Sequence, residues 1–230
     1  MRSATNVGRI IGALLVVQLA GLMVPFMLLH PLTADPASLG YGPALGFHVR
    51  VAALLLLENC ALTIAISFTA LQILRRHSPV MALLLVAASV IMFSLQAVDN
   101  AHLLSMLSLR RQYAEVGGPQ DLFQTLAVVA RSARNGVHYT ELLAIDAWIF
   151  VLYVSLFRFT LIPRALAAFG LITVVLHFTW IVLPFFLGLR SVMVMGPPMA
   201  LSHLALASWL MAKGLAERPQ PAGAEEGLQP

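Results

Sequence analysis

Twenty residues from Ile10 to Leu29 pass without one charged side chain. A helical run of that length covers the roughly 30 Å hydrocarbon core of a bilayer. Five more apolar segments follow, at about Val51–Leu74, Met81–Leu104, Val137–Phe159, Ala165–Leu187 and Pro197–Met211, the last closing at Lys213. The pattern predicts an all-α, polytopic integral membrane helix bundle of about six transmembrane helices, forming one domain over residues 1–216. Composition agrees. At 60% hydrophobic and 10% charged residues, with mean hydropathy +0.87, the chain is too poor in charge for disorder, for a nucleic-acid-binding domain or for a conventional cytosolic enzyme. The solvent it expects is lipid.

Arg2 and Arg9 before the first run give it the look of a signal peptide. The run is longer than a typical signal core and no small-x-small cleavage site follows, so it is expected to be a retained span. The single cysteine, Cys60, excludes intramolecular disulfides and every cysteine-cluster metal motif. A net charge of +4 and a pI near 9.8 come from cations placed between apolar runs, which points to membrane topology and not to nucleic acid.

The connections carry breakers. His30–Val49 holds three prolines and three glycines and reads as a loop or re-entrant segment. Arg75, Arg76, His77 and Pro79 form a short basic turn, and Ile162-Pro163-Arg164 separates spans four and five. Between spans three and four, Gly117-Gly118-Pro119 precedes an amphipathic stretch, about 121–134, expected to lie as an interfacial helix. Residues 217–230 read as a disordered cytoplasmic tail. With six spans the two termini share a side, which collects eight cations against six on the other. The positive-inside rule therefore predicts both termini in the cytoplasm.

Ionisable groups within spans cost on the order of 2.5–3.5 kcal/mol each, so each needs a partner or a wet cavity. Glu58, Asp99, His102, His138, Glu141, Asp146, His177 and His203 all fall within apolar segments. With alternating span directions, six of them (Glu58, Asp99, His102, His138, Glu141 and His203) come within roughly 20 Å along the bilayer normal, in the outer half. Asp99/His102 and His138/Glu141 are i,i+3 pairs facing one side of their helices. Three carboxylates and three imidazoles resemble the ligand sets of carboxylate-bridged iron or manganese bundles and also suit zinc. Glu58 and Asp99 are the candidate catalytic groups or proton carriers. The same side chains also serve as inter-helix hydrogen bonds, with Asn59, Gln96, Asn100 and Tyr139 as further donors.

Other chemistries lack support. No glycine-rich phosphate loop and no G-x-S-x-G occurs. Ser202 and His203, adjacent on one helix, point apart and make a poor nucleophile–base pair. Met193 and Met195 read as packing and not as a copper site. His177 with His102 or His203 is a conceivable axial pair for haem, but no small-residue pocket accompanies them.

The segment Arg158–Gly170 (RFTLIPRALAAFG), the pair Pro197-Pro198 and the stretch Leu201–Leu215 (LSHLALASWLMAKGL) resemble the bacterial multi-pass membrane family catalogued as domain of unknown function 4386. The likeness rests on Pro163, Arg164, Leu166 and Gly170, on Trp209, Leu210, Lys213 and Gly214, and on the opening Gly8-Arg9-Ile10-Ile11-Gly12. His203 stands where that family tends to carry an acid. The resemblance implies a multi-pass protein of the bacterial inner membrane and supplies no activity. Three functions stay open: a membrane protein whose polar cluster pins its helices, a metal-dependent enzyme acting on a lipid or small apolar molecule, and a proton-coupled small-solute transporter or sensor. The bilayer is the one partner expected in all three.

Overall fold

A computed structural model describes residues 3–34, 39–190, 195 and 197–216. The described residues form six helices and no strand: α1 (Ala4–Thr33), α2 (Pro43–His77), α3 (Pro79–Val116), α4 (Gln120–Arg158), α5 (Arg164–Phe185) and α6 (Pro197–Lys213). Each packs on its neighbour in sequence, and α6 closes the ring against α1. The first five are long and apolar enough to cross a membrane. α6 has 17 residues, about 25 Å of helix. Outward faces carry exposed Val17, Leu54, Ile91, Ile172 and Leu201, while Asp99, Glu141 and Asp146 are buried inside. That inverted distribution is what lipid as solvent requires, and the fold is a polytopic helical membrane bundle.

The turns follow local chemistry. Ser78 alone links α2 to α3: it ends one helix and caps the next, its Oγ accepting from Met81 N–H at 3.3 Å, with Pro79 at the first helical position. α6 stops at Gly214 (φ +73°), whose N–H donates to Leu210 O at 2.9 Å. Ring closure needs glycine. At Gly12 an added Cβ would stand 2.8 Å from Met211 N and 2.9 Å from Ala207 O; at Gly8 it would overlap the backbone of Gly214 and Leu215. Gly8-x-x-x-Gly12 thus brings α1 and α6 into backbone contact, as small residues do in membrane helix pairs.

Two expectations need correction. The stretch 121–134 is not a separate interfacial helix but the first turns of the 39-residue α4, and α3 runs on to Val116 beside it. The proline- and glycine-rich connection after span one is also shorter than read, because α1 continues to Thr33 and α2 begins at Pro43. The reason lies in packing outside the apolar runs. A second core of Leu29, Leu32, Val49, Ala52, Leu103, Met106 and Leu107 extends the bundle at this end. There Arg110 donates to Pro31 O (3.4 Å) and Leu32 O (2.9 Å), and Arg131 donates to Thr33 O, so two guanidinium groups close the open carbonyls of α1. The tail, 217–230, lies outside the described residues.

Replacing Gly8 with Val is expected to lower stability by on the order of 1–3 kcal/mol, through overlap with the α6 backbone. Gly136→Ala, at a helical position with nothing within 4 Å, should leave it unchanged or raise it by about 0.5–1 kcal/mol. Thermal denaturation of the two variants in one detergent checks the contrast.

Candidate functional site: a polar-lined cavity

One face of α4 builds most of the site. Arg134, His138 and Glu141 recur at i, i+4 and i+7, so they lie along one stripe facing Asp99 of α3. Arg134 pairs with that carboxylate: Nη2 donates to Oδ2 at 3.1 Å, and Nε lies 2.8 Å from Oδ1 without the alignment of a hydrogen bond. His138 Nδ1 lies 4.0 Å from Asp99 Oδ1 and 3.6 Å from Glu141 Oε2. Asp99 and Glu141 are fully or almost fully buried, while His138 is partly open.

A second pair sits about 12 Å further along α4, eight residues beyond His138. Asp146 Oδ1 accepts from His177 Nδ1 at 2.7 Å, joining α4 to α5. Trp180, one turn on, lies beside His177 with ring centroids 5.5 Å apart. His203 of α6 donates from Nδ1 to Met199 O at 3.1 Å and meets the Tyr153 ring edge-on at 5.7 Å. Tyr153 lies flat over Gly170, where any Cβ would overlap its ring. Asp146 Oδ2, Trp180 Nε1, His203 Nε2 and Glu141 Oε2 have no hydrogen bond among the described residues.

Between the helices lies a cavity of about 380 Å³. Its walls are largely apolar, with Leu19, Leu22, Leu56, Met92 and Ile145 among them. His138 and Glu141 reach it from the first cluster, and His177, Trp180 and His203 from the second. A volume in this range with a few convergent polar groups is the usual form of a small-molecule pocket.

Of the six candidate ligands, Asp99, His138 and Glu141 converge, each offering a donor atom within 4.8 Å of the others. The other three stand apart. Glu58 is exposed on the outer face of α2, because its neighbours Asn59 and Cys60 are the positions turned to the cavity. His102 is half-buried and outside the converging group. His203 is deeper than the outer layer expected of it. Its neighbour Ser202 bonds Thr173 Oγ1 at 2.8 Å, and Thr173 lies twelve residues, about 18 Å, from the last residue of α5, Phe185. Arg134 also belongs to the site, although it falls in the amphipathic stretch expected to lie at the interface. Its i,i+4 spacing to His138 was the available signal. Asn59 and Asn100 form inter-helix bonds, Asn59 Nδ2 to Gln18 O and Asn100 Nδ2 to Ala53 O, each at 2.8 Å, whereas Gln96 Nε2 donates within α3 to Asn100 Oδ1 at 3.1 Å; Tyr139 stacks on Phe185 at 4.4 Å.

The converging set fits a bound metal poorly. Donors around a zinc ion at 2.0–2.1 Å lie about 3.4 Å apart, and the Asp99 carboxylate is already ion-paired with a guanidinium. As arranged, Arg134 is the cation of this site.

Residues 10–214 match the model of the family described as Domain of unknown function (DUF4386). The chain belongs to that family. No curated protein and no solved structure matches it. The residues that carry the likeness are architectural in this DUF4386 chain: Pro163 precedes α5, Gly170 makes room for Tyr153, and Gly214 closes α6 against Thr5. None belongs to the two polar clusters.

Removing one partner of a buried ion pair leaves the other uncompensated, at about 3–5 kcal/mol. Asp99→Asn is expected to cost that much, and Asp99→Asn/Arg134→Gln to recover part of it. A double-mutant cycle of detergent-solubilised protein measures the coupling; additive effects would show that the pair contributes nothing.

Proposed function

We propose that this chain is a membrane-embedded binding protein whose central cavity takes a small, mainly apolar molecule with a polar group. The observation that carries the reading is a cavity of about 380 Å³ onto which both polar clusters open. Apolar walls supply the affinity, and unsatisfied groups such as His203 Nε2 and Trp180 Nε1 supply orientation. The ligand enters from the bilayer. Phe26 of α1 lines the cavity and is half-exposed at the surface of the bundle.

In this reading α6 is the sixth crossing of one membrane domain, and both termini face the cytoplasm of a bacterial inner membrane. Exposed Arg9, Arg75, Arg76, Arg158, Arg164 and Lys213 gather at the terminal end. At the other end Arg50, Arg111 and Arg190 are exposed, while Arg110, Arg131 and Arg134 are engaged with α1 carbonyls or with Asp99. A fluorescent protein fused after Pro230 should glow, as folding in the cytoplasm requires; a dark fusion with an active periplasmic reporter would reverse the orientation.

Ala200 lines the cavity from α6. Ala200→Phe is expected to abolish binding of a neutral probe, 4-phenylbutan-1-ol, that the unaltered protein binds in phosphatidylcholine nanodiscs, measured above the baseline of empty discs. Equal uptake by both proteins would remove the cavity from the account. A metal centre at Asp99, His138 and Glu141 is a second reading, favoured by their 4.8 Å convergence. Elemental analysis decides it. Sub-stoichiometric iron, zinc and manganese are expected with Arg134 in place, and one equivalent of any of them would establish the centre.

A further inference from the structure

We infer that the cavity selects an amphiphilic organic ammonium, its N–H groups bonding the Glu141 carboxylate and its apolar body lying against the cavity walls. The inference rests on the cavity reading above and adds the chemical class of the ligand. Glu141 is 3% exposed and lines the cavity, yet Oε2 makes no hydrogen bond among the described residues. The His138 ring, 3.6 Å away, is beyond bonding distance. A carboxylate so placed has desolvation to recover, and the imidazole beside it makes no hydrogen bond that would recover it.

The charges around it are one-sided. Asp99, Glu141 and Asp146 are the buried acids of this region, and Arg134, its permanent cation, is ion-paired with Asp99. Asp146 has His177 at 2.7 Å. Glu141 is therefore the acid open to a cation brought in from outside. A carboxylate ligand would meet like charge. An inorganic ion would leave most of a 380 Å³ apolar volume unfilled, whereas an alkyl or aryl body fills it. Trp148 and Trp180 also line the cavity, and the faces of indoles attract organic cations. Trp148 is held in place by its Nε1–H bond to Ser67 Oγ at 2.8 Å.

The test uses three probes with one apolar body and three head groups: 4-phenylbutylamine, 4-phenylbutan-1-ol and 4-phenylbutyrate. Calorimetric titration at pH 7 into the full chain in phosphatidylcholine nanodiscs, with empty discs subtracted, compares them. The amine is expected to bind about tenfold tighter than the alcohol, and the acid weakest, because a charge-assisted bond is roughly twice as strong as a neutral one. Glu141→Gln should remove the preference of the site for the amine over the alcohol. Glu58→Gln, on the outer face, should change neither. Equal binding of amine and alcohol to the unaltered protein, a preference for the acid, or an amine preference that survives in folded Glu141→Gln would each overturn the inference and leave the cavity reading standing. No binding of any probe would overturn both. The probe series on the unaltered protein decides the matter even where the variant does not fold.

Discussion

Ionised groups in a lipid-solvated bundle have to be matched with opposite charge or hydrogen bonds, and the arrangement of the middle helices follows from that demand. Three buried acids each have a nitrogen within 4.0 Å: Asp99 has Arg134, Glu141 has His138 and Asp146 has His177. Every pair includes a side chain of α4. The first ties α4 to α3 and the third ties it to α5, while the second lies along α4 itself. Charge thus fixes the rotation of α4 about its axis, and with it the face turned to the cavity. The apolar core, with Trp148, Leu152 and Leu156 on the same helix, packs around a register already set by polar contacts.

The bundle and its helix order were legible because uninterrupted apolar runs have few other physical meanings. The approach of α3 to α4 at Asp99 and His138 was legible in part: alternating span directions bring the two to one depth and i,i+3 spacing puts Glu141 on the face of His138, but His102, spaced in the same way from Asp99, stays outside the group. Spacing did not say which way those faces point. Glu58 sits one residue from cavity-lining Asn59, and the 100° between them turns it outside. Arg134 went unnoticed for the opposite reason. In sequence it belongs to a basic amphipathic stretch, and only the continuation of α4 through that stretch carries it to Asp99.

Helix ends were the least readable part, because they depend on partners far along the chain. Nothing near Thr33 announces that α1 extends to it; the donors that close its carbonyls are Arg110 and Arg131. The depth of His203 is a similar case. It lies early in its helix, as the sequence says, but that helix is short and meets α5 well below its end, where Ser202 finds Thr173. Depth was set by a contact between two hydroxyls that no hydropathy pattern contains.

Ring order bears on how the molecule is made. Each helix packs on the one synthesised before it, so a growing chain can settle five of them in sequence with only local searches. The remaining seam, α1 to α6, joins residues some two hundred positions apart, Gly8 to Gly214. Until the last helix arrives, the hollow is a trough open along one side. The glycine seam shuts that side only when α6 is in place, so the order of translation makes the C-terminal helix the wall that completes the hollow.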